Sequence, residues 1–249
     1  MDHSQSARQF WDDGCVIVRG VFAAADIGEL ERELAHYLAE VVPTLGGKDV
    51  FYENPPSSAI KSAFRLHERS AYFQRLMDDP RLLAILQALL PDGQVLPTLG
   101  VMYFAKAARD GSITPAHQDN GFQHWRPPLA VTLTVAVDRS TPDNGVLTCN
   151  RGSHRLGLLP HRQSGVLGFS QCLAEPIDEE RYPPLQLCMD PGDVAIHSVE
   201  TVHYSGANTS SRPRRQIGIG YRSSVAQRDE ASHARYLKQL EDLMATTRG

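Results

Sequence analysis

Hydrophobic residues follow two different periods along this chain, and the change between them falls near residue 94. Before that point apolar positions recur every three or four residues, which is the spacing of a helix with one buried face. After it they alternate with small or polar residues, the period of a strand that is buried on one side. The pattern predicts a helical N-terminal part over about residues 1–92, a β-rich part over about 93–223 and a last helix over about 226–246.

Individual elements can be placed within these parts. Helices are predicted at Gln5–Trp11, Ala24–Val42, Ala71–Asp79 and Pro80–Leu90. Strands are predicted at Cys15–Val18, Val95–Ala107, Leu129–Asp138, Val146–Cys149, Leu185–Met189, Val194–His197 and Arg214–Arg222. Residues 43–66 and 157–182 show neither period, and irregular segments of that length usually cover a functional site or are disordered. Helices that lead into closely spaced strands predict one domain over residues 1–249, mainly β with flanking helices, built as a barrel or double-sheet jelly roll.

Two of the predicted strands show which side would face a ligand. One face of Arg214–Arg222 carries Ile217, Ile219 and Tyr221, and the other carries Arg214, Gln216, Gly218 and Gly220. One face of Leu129–Asp138 carries Val131, Leu133, Val135 and Val137, and the other carries Thr132, Thr134 and Ala136. Because side chains alternate across a strand, each strand has an apolar side for helix packing and a small or polar side suited to a ligand.

Composition narrows the class of partner. The chain has 249 residues, a net charge of -4 and a pI near 6.2, so it lacks the basic surplus of a protein that binds nucleic acid. No apolar run approaches the roughly 20 residues of a membrane span, and the first residues lack the pattern of a signal peptide. The four cysteines form no Cys-x-x-Cys pair, which favours reduced thiols in the cytoplasm. We therefore expect a cytoplasmic protein with a small-molecule partner; the pattern does not indicate an oligomeric state.

Three residues have the chemistry of a metal site. His117 and Asp119 are two apart, so on an extended segment they would point to the same side, and His203 follows later in the chain. Two imidazoles and one carboxylate are the ligand set of non-haem Fe(II) oxygenases, which leaves the opposite face of the metal open. His197 is an alternative third ligand, because it could share a strand face with His203. The residues that follow His203 favour His203. The zinc-protease motif His-Glu-x-x-His is absent.

Arg214 and Arg215 are adjacent candidates for an anion anchor. A guanidinium grips a carboxylate with two charge-assisted hydrogen bonds in a geometry that lysine lacks. Side chains alternate along a strand, so Arg214 falls on the face of Gly218 and Gly220, whereas Arg215 falls on the apolar face that packs against helices. This alternation, called parity below, favours Arg214. On the pattern alone, the alternative that both arginines are solvated charges at the start of a strand stays open.

These motifs, taken in order, resemble the phytanoyl-CoA dioxygenase family of Fe(II)- and 2-oxoglutarate-dependent oxygenases. The matching stretches are Thr114–Asp119, Pro142–Leu147, Gly152–His154, Gly192–His197, His203–Asn208 and Arg214–Ile217. The opening Phe10–Val18 and Gly20–Phe22 is also similar to the start of the family. The resemblance covers about residues 8–222.

The resemblance implies a double-stranded β-helix, a cupin-like jelly-roll barrel, and three small partners: Fe(II), 2-oxoglutarate and O₂. The iron ligands it implies are His117, Asp119 and His203, and the 2-oxoglutarate residues are Arg214, Ser205 and Thr134. The implied reaction hydroxylates an unactivated carbon of a metabolite or biosynthetic intermediate and releases succinate and CO₂. Asp119 stands where halogenating relatives have a small residue, so hydroxylation is expected rather than halogenation.

The substrate is less defined by the sequence. Residues in or beside the irregular segments are candidates to contact it: Tyr52, Lys61, Arg65, Phe122 and Trp125. For each of them, packing on the barrel or exposure to solvent is the alternative, and Lys61 and Arg65 would suit an anionic group. Three other functions stay open: desaturation or cyclisation by the same machinery, a jelly-roll binding protein without turnover, and a zinc hydrolase with the same ligands. The hydrolase ranks last because it gives Arg214 no role.

Overall fold

A computed structural model describes residues 3–47, 49–53, 57–90, 92–166 and 169–246. The helices are α1 Ser4–Asp13, α2 Ala24–His36, α3 Ala71–Met77, α4 Pro80–Leu89, α5 Asn120–Gln123 and α6 Glu230–Thr246. The strands of the first half are β1 Cys15–Val18, β2 Val50–Tyr52, β3 Ile60–Ala63, β4 Val95–Lys106, β5 Thr114–His117, β6 Trp125–Arg126 and β7 Ala130–Ala136. Those of the second half are β8 Leu147–Asn150, β9 His161–Val166, β10 Phe169–Leu173, β11 Pro184–Gln186, β12 Val194–Ser198, β13 His203–Ser205, β14 Arg214–Ser223 and β15 Gln227–Arg228.

Two antiparallel sheets organise these strands. The large sheet has seven strands in the order β1-β12-β7-β14-β4-β3-β2, and the small sheet has four in the order β11-β8-β13-β5. β9 pairs with β10, and β6 pairs with β15, as two further ribbons. The fold is therefore mainly β with flanking helices, as the sequence predicted.

The large sheet has one face packed against the helices. The main hydrophobic core joins Leu30 and Leu34 of α2 and Leu82, Ile85 and Leu86 of α4 to the sheet residues Val131, Leu133, Val135, Ile217, Ile219 and Tyr221. This confirms the alternation that the sequence predicted for β7 and β14. Burying this many aliphatic side chains, at about 25 cal/mol per Å² of apolar surface, is the main force that holds the helices on the sheet.

The opposite face of the large sheet, called the inner face below, carries the small and polar residues of β7 and β14. Gly218 pairs with Thr134 of β7 and Met102 of β4, and Gly220 pairs with Thr132 and Gly100. The inner face meets the end of the small sheet, because the Thr132 hydroxyl donates a hydrogen bond to Asp119, two residues after β5. The region between the two sheets is therefore where the predicted site residues meet.

Two local predictions were wrong, and one predicted helix changes type along its length. The helix predicted to Val42 is α-helical to His36 and continues as a π-helical turn at Tyr37–Val41. The segment predicted to be irregular after residue 43 contains β2 and β3, and the 157–182 segment contains the hairpin β9–β10. β9 reads His-Arg-Gln-Ser-Gly-Val and its side chains are at least partly exposed, so it has no apolar face to produce a two-residue period.

Two further observations concern membrane-spanning helices and the cysteines. No helix in the described ranges is both long and apolar enough to cross a membrane. The four cysteines, all of which lie in those ranges, are free thiols, and Cys15, Cys149 and Cys172 are buried.

Candidate metal centre and buried cationic cluster

Three of the predicted ligands converge between the two sheets. His117 is the last residue of β5 and His203 the first of β13, and the two are direct cross-strand partners in the small sheet. Asp119 lies immediately before α5. The ligand atoms of His117, Asp119 and His203 lie within 4.8 Å of one another, and they form the one such metal-binding group found among the described residues. The structure therefore groups His203, and not His197, with the other two.

Both histidines are oriented by backbone carbonyls. Nδ1 of His117 lies 2.7 Å from the Pro115 oxygen, and Nδ1 of His203 lies 2.9 Å from the Thr201 oxygen. A carbonyl can only accept, so each Nδ1 carries the proton and each Nε2 presents a lone pair. The two Nε2 atoms lie 3.7 and 3.6 Å from Oδ1 of Asp119. Hydrogen bonds of this kind fix the tautomer of metal-binding histidines in proteins.

The other oxygen of Asp119 is held by the large sheet. Oδ2 accepts a hydrogen bond from the Thr132 hydroxyl at 2.5 Å and lies 3.3 Å from Nε2 of His197. His197 is buried on β12 and its ring centroid lies 4.2 Å from that of His203. His197 therefore contacts a candidate ligand instead of joining the group. The expected extended backbone at Asp119 was wrong: its φ of -61° and ψ of -29° are helical, and the chain turns into α5 there.

Burial and mutual contact favour the charge states that bind a metal. Burial lowers the pKa of His117, and burial together with the neighbouring imidazoles lowers that of His203 well below its usual value. Burial acts to raise the pKa of Asp119, but His203, His197 and His117 outweigh it, so the net shift is downward. Neutral imidazoles and an ionised carboxylate are the forms that coordinate transition metals.

The turn between His117 and Asp119 is fastened by Gln118, whose side chain is fully buried. Its Nε2 donates to the Gly157 and Glu200 carbonyls at 2.8 and 2.7 Å, and its Oε1 accepts from the Leu159 N–H at 2.8 Å. Its own backbone N–H donates to Nε2 of His161 at 3.1 Å. These bonds hold the turn in one position. The sequence did not identify this role, because the partners lie far away along the chain.

Arg214 lies on the inner face, at the start of β14, and is buried. Its Nη1 donates to Oε1 of Gln216, while Nε of Arg214 and Nε2 of Gln216 are buried and have no hydrogen-bond partner among the described residues. Burial lowers the pKa of Arg214 to about 10. Buried polar groups in proteins are almost always paired, so unpaired N–H groups on a guanidinium point to a missing anionic ligand.

Two buried lysines accompany Arg214. The sequence had suggested Lys61 for an anionic group of the substrate, and it had not identified Lys106. Lys106 of β4 is the direct cross-strand partner of Arg214. Lys106 donates to the Ser112 carbonyl, and Lys61 donates to the Ser112 hydroxyl at 2.8 Å. Glu53 accepts from the Ser112 N–H at 3.1 Å. We refer to Lys61, Lys106 and Arg214 as the cationic cluster.

The lysines of the cationic cluster are strongly affected by burial. Burial, with the nearby charges of Arg214 and Lys61, lowers the pKa of Lys106 to about 7. Burial also lowers the pKa of Lys61, although Glu53 opposes the shift. A dianionic ligand would relieve this accumulation of positive charge, because an opposite charge within a few ångströms favours the ionised form of a lysine.

Of the remaining predicted anion residues, Thr134 lies on the face that alternation along β7 gave it. Thr134 is buried on the inner face opposite Gly218, and Ser205 is buried two residues after His203 on β13. Arg215 points to the helix side, where it pairs with Asp138 at 2.7 Å and with Glu31 of α2 at 2.6 Å.

The five substrate candidates are not brought together. The Phe122 ring lies edge-on to that of His117 at 5.7 Å between centroids, so Phe122 borders the metal group. Lys61 belongs to the cationic cluster. Arg65 pairs with Asp49 and is half exposed, and Tyr52 is exposed on the edge strand β2.

Trp125 is buried, and its Nε1 donates to Gln123 at 2.8 Å. The guanidinium groups of Arg222 and Arg228 lie 5.1 and 4.6 Å from its ring centre.

The donor set fits iron, and the cationic cluster fits a dicarboxylate. Two neutral imidazole nitrogens and one carboxylate oxygen on one side of a shared point leave room for further ligands on the other side. The unpaired Nε of Arg214 and the crowded charges of Lys106 and Lys61 fit a carboxylate that reaches into the inner face.

Comparison with known proteins agrees with this chemistry. The family model for phytanoyl-CoA dioxygenase (PhyH) matches residues 10–216. The ectoine dioxygenase of Sphingopyxis alaskensis is 27% identical over 239 residues, which cover 87% of this chain and 75% of the relative. The crystal structure of EctD from S. alaskensis with 2-oxoglutarate and 5-hydroxyectoine has a TM-score of 0.73 at 23% identity, with 88% of this chain and 75% of that one covered.

The epimerase SnoN, in complex with Fe³⁺, alpha ketoglutarate and nogalamycin RO, has a TM-score of 0.71 at 23% identity. The match covers 90% of this chain and 84% of SnoN. At these identities the two structures show a shared fold, while the family match carries the chemistry.

Proposed function

The chain belongs to the phytanoyl-CoA dioxygenase family and depends on Fe(II), 2-oxoglutarate and O₂, and from that premise we propose that it hydroxylates an unactivated carbon of a small-molecule metabolite or biosynthetic intermediate. The observation that carries the proposal is the pairing of two sites: a His-Asp-His group beside the small sheet, and on the large sheet a buried guanidinium whose Nε has no hydrogen-bond partner among the described residues.

In this proposal His117, Asp119 and His203 hold the iron. Their Nε2 and Oδ1 atoms face a common point, and the Pro115 and Thr201 carbonyls keep both imidazoles in the required tautomer. Thr132 and His197 occupy the second oxygen of Asp119, so Oδ1 is left to the metal. Contacts of this kind typically change metal affinity or activity by about 10- to 100-fold when they are removed.

The cosubstrate 2-oxoglutarate would bind along the inner face, with its distal carboxylate at the cationic cluster. Arg214 offers the fork that matches a carboxylate, and Lys106 adds a second cation directly across the strand. Ser205 and Thr134 would add hydroxyl groups. Gly218 lacks a side chain, and a β-carbon there would press on the Phe104 ring at 2.9 Å, so this part of the inner face has no space for one.

The bound iron and 2-oxoglutarate supply the oxidising chemistry: O₂ is reduced as 2-oxoglutarate loses CO₂ to give succinate, and the substrate carbon gains a hydroxyl group. The protein contributes orientation and a buried site. His117 and His203 are almost completely buried, which limits the access of water to the reacting groups. Asp119 fills the third protein position at the metal and so favours hydroxylation over halogenation.

The sheet arrangement supports the finer description of the fold. A seven-stranded and a four-stranded antiparallel sheet that meet at Asp119 are consistent with a double-stranded β-helix, a jelly-roll barrel. We propose that residues 1–249 act as one domain, because the N-terminal helices share their core with the large sheet.

The experiment is a reaction under ¹⁸O₂ with Fe(II), 2-oxoglutarate and any compound that accelerates succinate release. Hydroxylation predicts one ¹⁸O atom in succinate and one in the product. Succinate that is labelled beside a product without new oxygen would instead indicate desaturation, cyclisation or epimerisation by the same centre. If no succinate forms with the intact protein, a non-catalytic binding role would replace the proposal.

A further inference from the structure

A row of glycines continues the inner face beside the metal group. Thr132, whose hydroxyl holds Asp119, is paired with Gly220 of β14, and Gly220 is paired in turn with Gly100 of β4. Adjacent strands lie about 4.8 Å apart, so Gly100 lies roughly 10 Å across the sheet from Thr132. Two side chains from outside this row cover the two glycines.

The imidazole of His67 lies over Gly100. A β-carbon built on Gly100 would overlap the His67 ring, so the ring occupies the space that a side chain would otherwise fill. Cross-strand partners share a face, so the pairing of Gly100 with Gly220 assigns this space to the inner face. The residue is placed there by the short 3₁₀ turn Leu66–Glu68, in which Leu66 is fully buried. Gly100 itself has a φ of +68°, which glycine adopts without strain.

The Thr98 hydroxyl lies over the second glycine. A β-carbon on Gly220 would meet Oγ1 of Thr98, and this oxygen is buried and has no hydrogen-bond partner within the described ranges. The register of β4 against β14 shifts between Gly220 and Tyr221, so Thr98 and Leu99 are extra residues of a bulge. Bulges re-aim side chains beside active sites.

The proton of His67 can be assigned to one nitrogen. The Val101 N–H donates to Nδ1 of His67 at 3.2 Å, so in the neutral ring the proton lies on Nε2. Nε2–H is therefore a donor, and the Thr98 hydroxyl is a donor that has no acceptor in the part of the chain that the structure describes.

The backbone before His67 adopts a conformation that a non-glycine residue avoids. Arg65 has a φ of +59° and a ψ of +38°, and its guanidinium pairs with Asp49. Arg69, on the other side of the turn, lies 3.9 Å from the same carboxylate. Left-handed backbone at such a residue is strained and tends to occur where a functional side chain must be aimed.

We propose that His67 and Thr98 form a substrate subsite that binds a hydroxyl or carbonyl oxygen of a small molecule whose neighbouring C–H bond faces the metal group. The proposal rests on the proposed function. The subsite is distinct from that for 2-oxoglutarate, because Arg214 lies at the opposite end of β14 from Gly220. Two uncharged donors suit an oxygen-bearing, neutral part of the substrate, such as a sugar, polyol or ketone, and disfavour a plain hydrocarbon chain.

One variant separates the subsite from the fold. Asparagine can reproduce the Nδ1 acceptor of histidine but has no counterpart of Nε2–H, so His67→Asn should keep the bond to Val101 and lose the donor. Thr98→Val removes the second donor at nearly the same volume. His36→Asn, an exposed position on α2, is the matched control.

The first test needs no substrate. With ¹⁵N-histidine labelling, the His67 ring signal, assigned by its loss in His67→Asn, should report the Nε2–H tautomer. Replacing Zn(II) by paramagnetic Mn(II) at the metal group should broaden the His67 signal strongly and that of His36 weakly. An Nδ1–H tautomer, or equal broadening of the two signals, would overturn the proposal.

The second test uses pairs of pure metabolites that differ by one hydroxyl or carbonyl oxygen. We expect the oxygen-bearing member to accelerate succinate release, with a KM that rises about tenfold in His67→Asn, the equivalent of one lost hydrogen bond. The anaerobic Fe(II)–2-oxoglutarate absorption band should be unchanged in this variant. An unchanged KM would overturn the subsite. Absence of the band in the unaltered protein would instead refute the proposed function.

Discussion

Exchanging each of two adjacent arginines for methionine should separate cosubstrate binding from stability. Arg214 is buried, forms no ion pair with any described residue and leaves its Nε without a partner. Arg215, on the other face of the same strand, pairs with Asp138 and Glu31. Methionine has a similar length without the charge, so each substitution removes an interaction and limits the cavity it creates.

The two substitutions should change different quantities: Arg214→Met the affinity for 2-oxoglutarate, and Arg215→Met the free energy of unfolding. Removing the cationic partner of a buried carboxylate costs on the order of 3–5 kcal/mol, because the other charge remains unpaired. Each ~1.4 kcal/mol is tenfold in affinity, so Arg214→Met should weaken 2-oxoglutarate binding by roughly a hundredfold or more. Without ligand, Arg214→Met should unfold no more easily than the unaltered protein, since an unpaired buried cation is gone. Arg215→Met should lower the free energy of unfolding by about 1 kcal/mol and leave 2-oxoglutarate affinity within about twofold.

The assay is a 2-oxoglutarate titration of the anaerobic Fe(II)-protein, followed by its absorption band, beside urea unfolding of the metal-free variants. Equal weakening of 2-oxoglutarate binding in the two variants would remove the parity argument. A larger effect at Arg215 would reverse it. A loss of stability in Arg214→Met as large as that in Arg215→Met would show that Arg214 has a structural partner.

Three further outcomes are expected. Because Lys106 has a pKa of about 7 and a bound carboxylate would raise it, 2-oxoglutarate binding should take up protons and weaken as pH rises above 7. Titrations at several pH values should show affinity that falls with pH in the unaltered protein and falls less steeply in Lys106→Met. Equal pH dependence in the two proteins would refute the prediction. Gln118→Ala should lower the free energy of unfolding in urea by about 2–4 kcal/mol, because three hydrogen bonds of a buried side chain are lost. In the same experiment Gln163→Ala, at an exposed position, should change it by less than about 0.5 kcal/mol. Asp119→Gly should abolish hydroxylation, measured by product mass with chloride present, and chlorination by the unaltered protein would contradict the role given to Asp119.

Much of the site could be predicted because it depends on local alternation. The two faces of β14 follow from Ile217 and Ile219 alternating with Gly218 and Gly220, and this parity alone separates Arg214 from its neighbour. The rest depends on contacts between distant segments. The cationic cluster requires the register that pairs Lys106 with Arg214, which no local pattern encodes.

The position of His67 and the strand β9 could not be predicted either, because both also depend on contacts between distant segments. The turn that places His67 over Gly100 begins at Arg65, whose left-handed backbone is a conformation that residue type does not predict for arginine. Strand β9 of the hairpin is built mostly from polar residues, and it is stabilised by pairing with β10 and by contacts with neighbouring elements rather than by an apolar face of its own.

The central claim is that iron and 2-oxoglutarate bind together at His117, Asp119 and His203. The most direct measurement is the absorption band that forms when 2-oxoglutarate is added to the anaerobic Fe(II)-protein, compared among the unaltered chain, His203→Ala and His197→Ala. The account predicts the band in the unaltered protein and in His197→Ala, where iron affinity falls by about 10- to 100-fold through the lost contact with Asp119. It predicts no band in His203→Ala. A band that survives in His203→Ala, or one that disappears only in His197→Ala at saturating iron, would contradict it.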